Sequence, residues 1–179
     1  MFFCPYVIEQ TTGKRIDVVV TPASKQDLDV TSKDPKWQSD WNSEYLSEET
    51  IDKYAIKTAD NELIGLGAYQ IRGKTAYVYI VYMESAPHSN PTMKKRCERK
   101  YSGIGQLLIA YGVKYSVDNG CRGDVLFEAK TDELAYHYEK HFGAKKVFGG
   151  NDGIKRYMLA DNDAWDIFSI YLKGEEENE

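Results

Sequence analysis

The chain has 179 residues, a hydrophobic fraction of 42% and a formal net charge of −5 at pH 7. This length predicts a single domain with a buried core, and the negative charge argues against a general nucleic-acid-binding protein, because such domains are basic. No apolar run approaches the roughly 18 residues that a membrane-spanning helix needs, and the N-terminal residues lack the basic and apolar regions of a secretory signal.

The first third of the chain contains one clear strand signal. Apolar side chains alternate along residues 15–20, as they do in a half-buried strand. Residues 24–50 are polar and irregular, and they predict short helices and loops around Trp37, Trp41 and Tyr45. Exposed aromatic residues in this region would suit a protein-interaction module, which is one possible function.

Three further strands are predicted, at residues 53–58, 63–71 and 76–84. Asp-Asn and Gly-containing turns separate them, and turns this short join antiparallel neighbours. A long polar connection follows at residues 85–101, and we expect its part at 85–99 to act as a lid or to shape a substrate site. The three strands should therefore form an antiparallel meander.

The second half of the chain alternates helices and strands. The predicted elements are a helix at 102–119, a strand at 124–129, a helix at 131–142 with Thr131 as its N-cap, strands at 145–148 and 155–159 around a glycine-rich hairpin turn at 149–153, and a helix at 164–172. The strand–helix–strand passage predicts a right-handed parallel crossover. We expect one mixed α/β domain at residues 1–173, with a mostly antiparallel sheet flanked by helices, and a solvated acidic tail at 174–179.

Two glycines mark the start of the helix predicted at residues 102–119. Gly103 and Gly105 lack Cβ atoms, so an anion can approach the backbone closely. The first-turn N–H groups have no partner within the helix, and the helix dipole favours negative charge there. A diphosphate fits this pattern. Leu108 stands where a dinucleotide-binding fingerprint needs a third glycine, and no P-loop motif is present. A tight turn entering a helix is the alternative interpretation.

Lys100-x-x-Gly103-x-Gly105 resembles the pyrophosphate loop of the GNAT superfamily of N-acyltransferases, with Lys in place of the usual Gln or Arg. Residues 84–90 resemble a Glu-x-Ala-Pro-x-Asn stretch of one branch of that superfamily, and the order of elements over residues 53–160 is also similar. The resemblance implies a GNAT fold, acetyl-CoA as co-substrate and transfer of its acetyl group to a primary amine. The cofactor-binding residues that it implies are Val81, Tyr82, Met83, Lys100, Tyr101, Ser102, Gly103, Ile104, Gly105, Gln106 and Thr131.

Acyl transfer to an amine needs a base, an oxyanion partner and an acid for the thiolate. Glu84 ends the central strand and is the candidate base, with a solvated strand-end carboxylate as the alternative; Glu128 is a second candidate base. The resemblance implies that Tyr138 protonates or hydrogen-bonds the CoA sulfur, although it lies one position away from the usual Tyr, and a buried structural aromatic is the alternative. Tyr136 is the substitute acid, but it points to another side of the helix.

Several other features have two interpretations. The basic run at 94–100 either attracts the phosphates of CoA or is a solvated loop. His137 and His141 are interpreted as surface histidines, with no metal, because no third ligand is evident. The three cysteines fit no paired spacing and predict reduced thiols in the cytoplasm.

The amine acceptor is a small molecule or a protein. We expect no nucleic-acid or membrane partner, and a homodimer is possible. A non-catalytic acyl-CoA-binding or regulatory module on the same fold is the alternative to an enzyme.

Overall fold

The computed structural model describes residues 2–74, 76–147 and 153–173. In this part of the chain the strands are β1 (Phe2–Phe3), β2 (Tyr6–Glu9), β3 (Arg15–Pro22), β4 (Asp52–Thr58), β5 (Leu63–Arg72), β6 (Tyr77–Ser85), β7 (Tyr101–Ser102), β8 (Val125–Ala129), β9 (Lys145–Val147), β10 (Lys155–Leu159) and β11 (Leu172–Lys173). The helices are α1 (Lys25–Asp29), α2 (Ile104–Asp118), α3 (Asp132–His141) and α4 (Asp161–Ser169). None of the described helices is long and apolar enough to cross a membrane.

Most predicted elements are present within one or two residues of their expected bounds. The last helix is the exception: it was predicted at 164–172 but runs from Asp161 to Ser169, so Tyr171 lies beyond its end. Acidic residues in its first turn favour this earlier start, because they interact well with the helix dipole. The predicted acidic tail and residues 148–152 of the glycine-rich hairpin lie outside the described residues.

The chain folds into two compact units. Unit 1 comprises Met1–Ala68, Tyr82–Leu108 and Tyr171–Glu179. Its strands follow the order β7-β2-β3-β4-β5-β6, and the β2–β3, β2–β7 and β3–β4 pairs are antiparallel. The prediction of one domain remains a prediction.

The irregular N-terminal region contributes two indole rings to the core of unit 1. The Trp41 side chain is fully buried and Trp37 is buried, whereas Tyr45 is exposed. Helix α1 begins with a capping box, in which Ser24 and Asp27 bind each other's backbone N–H groups. The hypothesis of a protein-interaction module needed exposed tryptophans here, and the burial of both removes its main support.

Unit 2 comprises Tyr69–Val81 and Ile109–Ile170. Its strands follow the order β5-β6-β8-β10-β9, with β6 and β8 parallel and the β8–β10 and β9–β10 pairs antiparallel. The parallel pair confirms that the predicted connection joins parallel strands, and its right-handed sense stays a prediction. Helix α2 packs closely on the sheet, because a Cβ added at Gly112 would lie 3.1 Å from the Ile80 Cδ1 atom and 3.2 Å from the Tyr69 Cε1 atom.

Candidate functional site

The glycine loop at the start of helix α2 has the open backbone that an anion site needs. Gly103 has a φ of +87°, and its carbonyl accepts the first helical hydrogen bond, from the Leu107 N–H. Among the residues that the structure describes, no acceptor contacts the N–H groups of Ile104, Gly105 and Gln106. A Cβ added at Gly103 or Gly105 would meet no atom within 4 Å. A ligand could therefore approach these amides directly.

A glycine that the sequence interpretation did not single out brings the helix start close to the sheet. A Cβ added at Gly65 of strand β5 would lie only 2.8 Å from the Ile104 Cγ2 atom and 3.6 Å from the Glu84 carbonyl oxygen. The side chain of Ile104 therefore occupies space that any other residue at position 65 would fill. This contact places the start of α2 beside the end of β6 within unit 1.

The carboxylate of Glu84 is buried, with only 5% of the residue exposed. Its Oε1 atom accepts a hydrogen bond of 2.6 Å from the Gln38 N–H, and its Oε2 atom accepts one of 3.0 Å from the Trp41 indole. The alternative of a solvated strand-end carboxylate is therefore wrong. Gln38 and Trp41 are new members of the site, and neither lies in a motif that marked it.

The segment 84–90 is attached to the same N-terminal loop. Asn90 donates a hydrogen bond from Nδ2 to the Gln38 side-chain oxygen, at 3.2 Å. Ser39 donates to the Tyr82 hydroxyl at 2.7 Å, and the rings of Tyr82 and Trp41 meet edge to face at 5.5 Å. All residues of 84–90 except His88 are buried. The first part of the expected lid is thus a fixed wall of unit 1.

Lys100 was expected to face the diphosphate, but its ammonium group is bound within the protein. The Nζ atom lies 2.8 Å from each carboxylate oxygen of Glu62, and this hydrogen bond raises the pKa of Lys100. The Tyr101 hydroxyl also donates to Glu62, at 3.0 Å, and Ser102 accepts a hydrogen bond of 2.6 Å from the side chain of Gln10. The side chains that lead into the loop are therefore occupied, which leaves its backbone amides for a ligand.

Strand β6 loses its parallel partner before its own end. The ladder with β8 consists of Val78↔Val125 and Tyr79↔Leu126, and it does not extend to Val81. Val81 belongs to unit 2, whereas Tyr82 and Met83 belong to unit 1. The oxyanion role of the Val81–Met83 amides stays a prediction.

Tyr138 is buried in unit 2, on the inner side of helix α3. Its ring lies 4.8 Å from that of Phe127, and burial raises the pKa of its hydroxyl to about 12. This hydroxyl makes no hydrogen bond to another described residue. Tyr136 is 61% exposed on the same helix, so the two tyrosines differ as expected. Thr131 caps the helix by accepting the Leu134 N–H at 3.2 Å, as predicted.

Glu128, the second candidate base, already has two partners. Its Oε1 atom accepts hydrogen bonds from the Tyr79 hydroxyl at 2.7 Å and from Arg156 Nε at 3.2 Å. It lines a groove of about 410 Å³ in unit 2. The other residues of this groove are Ala129, Lys130, Thr131, Asp132, Gly153, Ile154 and Lys155.

The two helical histidines lie on one side of helix α3. The rings of His137 and His141 are 4.8 Å apart, and burial together with His141 lowers the pKa of His137. In the described ranges, no group of three or more His, Cys, Asp or Glu residues could hold a metal ion.

No protein-family model and no curated protein matches this sequence. Solved structures do match it. The spermidine/spermine N-acetyltransferase SpeG from Vibrio cholerae is 12% identical with a TM-score of 0.54, and the match covers 79% of this chain and 91% of that one. A chimera of the same SpeG with hSSAT is 11% identical with a TM-score of 0.56, covering 83% and 98%.

A protein from Klebsiella pneumoniae, provisionally assigned as an acyl-CoA N-acyltransferase, is also similar. It is 13% identical with a TM-score of 0.53, covering 79% of this chain and 95% of that one. Identities this low show the fold and nothing more. The fold is that of the GNAT N-acetyltransferases.

Proposed function

We propose that this protein is an N-acetyltransferase that transfers the acetyl group of acetyl-CoA to a primary amine. The observation that carries the proposal is the row of amides at Ile104, Gly105 and Gln106, which face no acceptor in the described chain and have no side chain in front of the two glycines. Such a helix start binds diphosphate well, and CoA contains one. The fold supports the same activity.

The reaction would proceed in one ternary complex. The amine nitrogen attacks the thioester carbon, the C–S bond breaks, the amine loses a proton and the thiolate gains one. We assign proton removal to Glu84, whose two carboxylate oxygens accept hydrogen bonds from the Gln38 N–H and the Trp41 indole. The backbone amides of Val81–Met83 would bind the oxyanion. Tyr138 would hydrogen-bond or protonate the thiolate; burial raises its pKa to about 12, so its hydroxyl carries a proton at neutral pH.

A small cationic amine is the acceptor that we favour. SpeG, which has the same fold, is a spermidine/spermine N-acetyltransferase. The net charge of −5 also favours a cationic partner. Spermidine is therefore the first acceptor to test, followed by other polyamines, aminoglycosides, amino acids and lysine peptides.

Binding and turnover should be measured separately. Calorimetry with acetyl-CoA should show one site per chain, and a thiol reagent should then detect free CoA once an acceptor is added. If this protein bound no CoA thioester, the proposed function would be ruled out.

A non-catalytic acyl-CoA-binding module is the second candidate, and one observation favours it. Both oxygens of Glu84 serve as acceptors for the N-terminal loop, and only 5% of the residue is exposed. Glu84 could then be a structural anchor rather than a base. Tight acetyl-CoA binding with no thiol release for any amine in the panel would select this function.

A further inference from the structure

A single carboxylate in the turn after strand β4 holds the segment that leads into the glycine loop. Glu62 is itself fixed by Thr58, which bonds to both the N–H and the carbonyl of Glu62, at 3.2 and 3.1 Å. Its side chain accepts from Lys100 Nζ through both oxygens and from the Tyr101 hydroxyl through Oε2. His88 Nε2 lies 3.3 Å from Oε1.

These contacts belong to a ring of polar contacts, in which the His88–Glu62 link is a charged contact and the other links are hydrogen bonds. The Tyr101 N–H donates to Ser89 Oγ at 3.0 Å, and Ser89 Oγ lies 2.7 Å from His88 Nδ1. The serine hydroxyl can donate to Nδ1 while its oxygen accepts from the tyrosine amide, and in that tautomer neutral His88 carries its proton on Nε2, toward Glu62. The ring starts at the Tyr101 amide and returns to the Tyr101 hydroxyl.

Lys100 and Tyr101 are held through their backbone groups as well as through their side chains. The Lys100 N–H donates to the His88 carbonyl at 3.0 Å, and the Lys100 carbonyl accepts from the Gln10 N–H at 2.9 Å. Two residues later the chain turns at Gly103 and exposes its amides. The Lys100 charge is balanced by Glu62, so it is not a free cation for a phosphate.

We propose that Glu62 is a positioning residue for the cofactor loop, acting through Lys100 and Tyr101, and that Lys100 serves this ring rather than contacting the diphosphate. This inference rests on the proposed function. Glu62→Gln would remove the negative charge that faces Lys100 and leave one acceptor oxygen where Lys100 and Tyr101 now use two, so the ring would open. The loop amides would then lose the alignment that a diphosphate needs.

The test measures the affinities of the full chain for coenzyme A and for pantetheine, which lacks the diphosphate. Glu62→Gln should weaken coenzyme A binding about tenfold and leave pantetheine binding unchanged. Lys100→Met should have the same effect, and the double variant should be no worse than either single one, because both changes open one ring. Additive losses, or tighter binding in Glu62→Gln, would instead assign Lys100 to the diphosphate and overturn the inference.

A second readout needs no cofactor. Hydrogen exchange at the Lys100 and Tyr101 amides should be faster in Glu62→Gln than in the unchanged protein. The matched control is Asp118→Asn, which removes an exposed carboxylate paired with Lys114 and should change neither readout. Unchanged exchange in Glu62→Gln would end the positioning role alone, whereas absence of coenzyme A binding in the unchanged protein would end the proposed function.

Discussion

At the scale of single residues, Glu84 decides whether the protein is a catalyst. If Glu84 removes the amine proton, Glu84→Gln should lower kcat/KM at pH 7 by about 100-fold or more, the usual contribution of a general base. Part of the rate should return at high pH, where more of the amine is already deprotonated. The pH dependence of kcat/KM and the Kd for acetyl-CoA measure the two effects, and the Kd should not change. Full activity of this variant would require another base, with Glu128 first.

The indole of Trp41 tests the structural part of the Glu84 interaction. Trp41→Phe keeps a buried ring but removes the N–H that donates to Glu84, so a buried carboxylate oxygen loses a donor. The free energy of unfolding should fall by about 1–3 kcal/mol. Trp165→Phe is the matched control, because this side chain is 50% exposed, and its effect should be within about 0.5 kcal/mol. Urea unfolding of both variants gives the comparison; equal effects would contradict the role of the indole.

The ring around Glu62 makes stability depend on pH. Burial lowers the pKa of His88 below 6.5, although Glu62 partly opposes this. The folded protein therefore favours the neutral form of His88. The stabilisation that results is complete above pH 6.5, and it is lost as the pH falls through the lowered pKa of His88 in the folded protein. The pKa of Glu62 is also lowered, because the hydrogen bonds from Lys100 and Tyr101 outweigh the effect of burial. Its contribution is complete above pH 4.5 and is lost at more acidic pH.

His88→Gln isolates the histidine contribution. Glutamine keeps a donor for Glu62 but does not titrate. The free energy of unfolding of the unchanged protein should fall between pH 7.5 and 5.5, and that fall should be smaller in the variant. Urea midpoints at several pH values measure the difference. Parallel curves would show that His88 makes no contribution to the pH dependence.

At the scale of elements, the glycine loop predicts opposite effects on stability and binding. A Cβ at Gly105 meets no atom of the protein, and alanine is the better helix former, so Gly105→Ala should keep or raise stability by up to about 1 kcal/mol. The same methyl group would stand in the open space before the amides and should weaken coenzyme A binding about tenfold or more. Thermal unfolding and calorimetry measure the two effects.

The control for Gly105→Ala is a second glycine of the same helix. Gly112→Ala should lower stability, because its Cβ would crowd Ile80 and Tyr69, and coenzyme A binding should be preserved in the folded fraction. Unchanged affinity in Gly105→Ala would place the diphosphate elsewhere.

The sequence predicts elements whose signal is local and misses those that depend on distant partners. Strands of five or more residues show alternation or β-branched side chains over their own length, and these were predicted. Strand β7 has two residues and exists because Tyr101 pairs with Glu9, which no local pattern reveals. The site follows the same rule. The glycines of the loop are recognised from their local pattern, whereas Gln38 is 46 residues from its partner Glu84 and no local pattern connects them.

Distant charge pairing explains why the partner of Lys100 was not predicted. A basic residue just before an anion-binding loop suggests a phosphate as its partner. Glu62, the partner in the structure, lies 38 residues earlier in the chain, in a turn. Only the fold brings the carboxylate to the ammonium group. The pyrophosphate loop stays a prediction, and the partner that the structure gives Lys100 is Glu62.

At the scale of the whole molecule, three elements connect the two compact units. Strand β5, strand β6 and helix α2 each contribute residues to both units, so neither unit has a complete set of its own elements. We therefore predict a single cooperative unfolding transition, with equal calorimetric and van't Hoff enthalpies, as one domain would show. Two separate transitions would contradict the prediction of one domain.

Coenzyme A makes this prediction sharper. A ligand that binds only the folded state at a hundredfold excess over its Kd adds about 2.7 kcal/mol of stability. If the units unfold together, coenzyme A should move the whole transition to higher temperature, including the near-ultraviolet signal of Trp165 in unit 2, although the glycine loop from Lys100 to Gln106 belongs to unit 1. If coenzyme A raised the transition temperature reported by probes in unit 1 and not that reported by probes in unit 2, the shared strands and helix would not couple the unfolding of the two units.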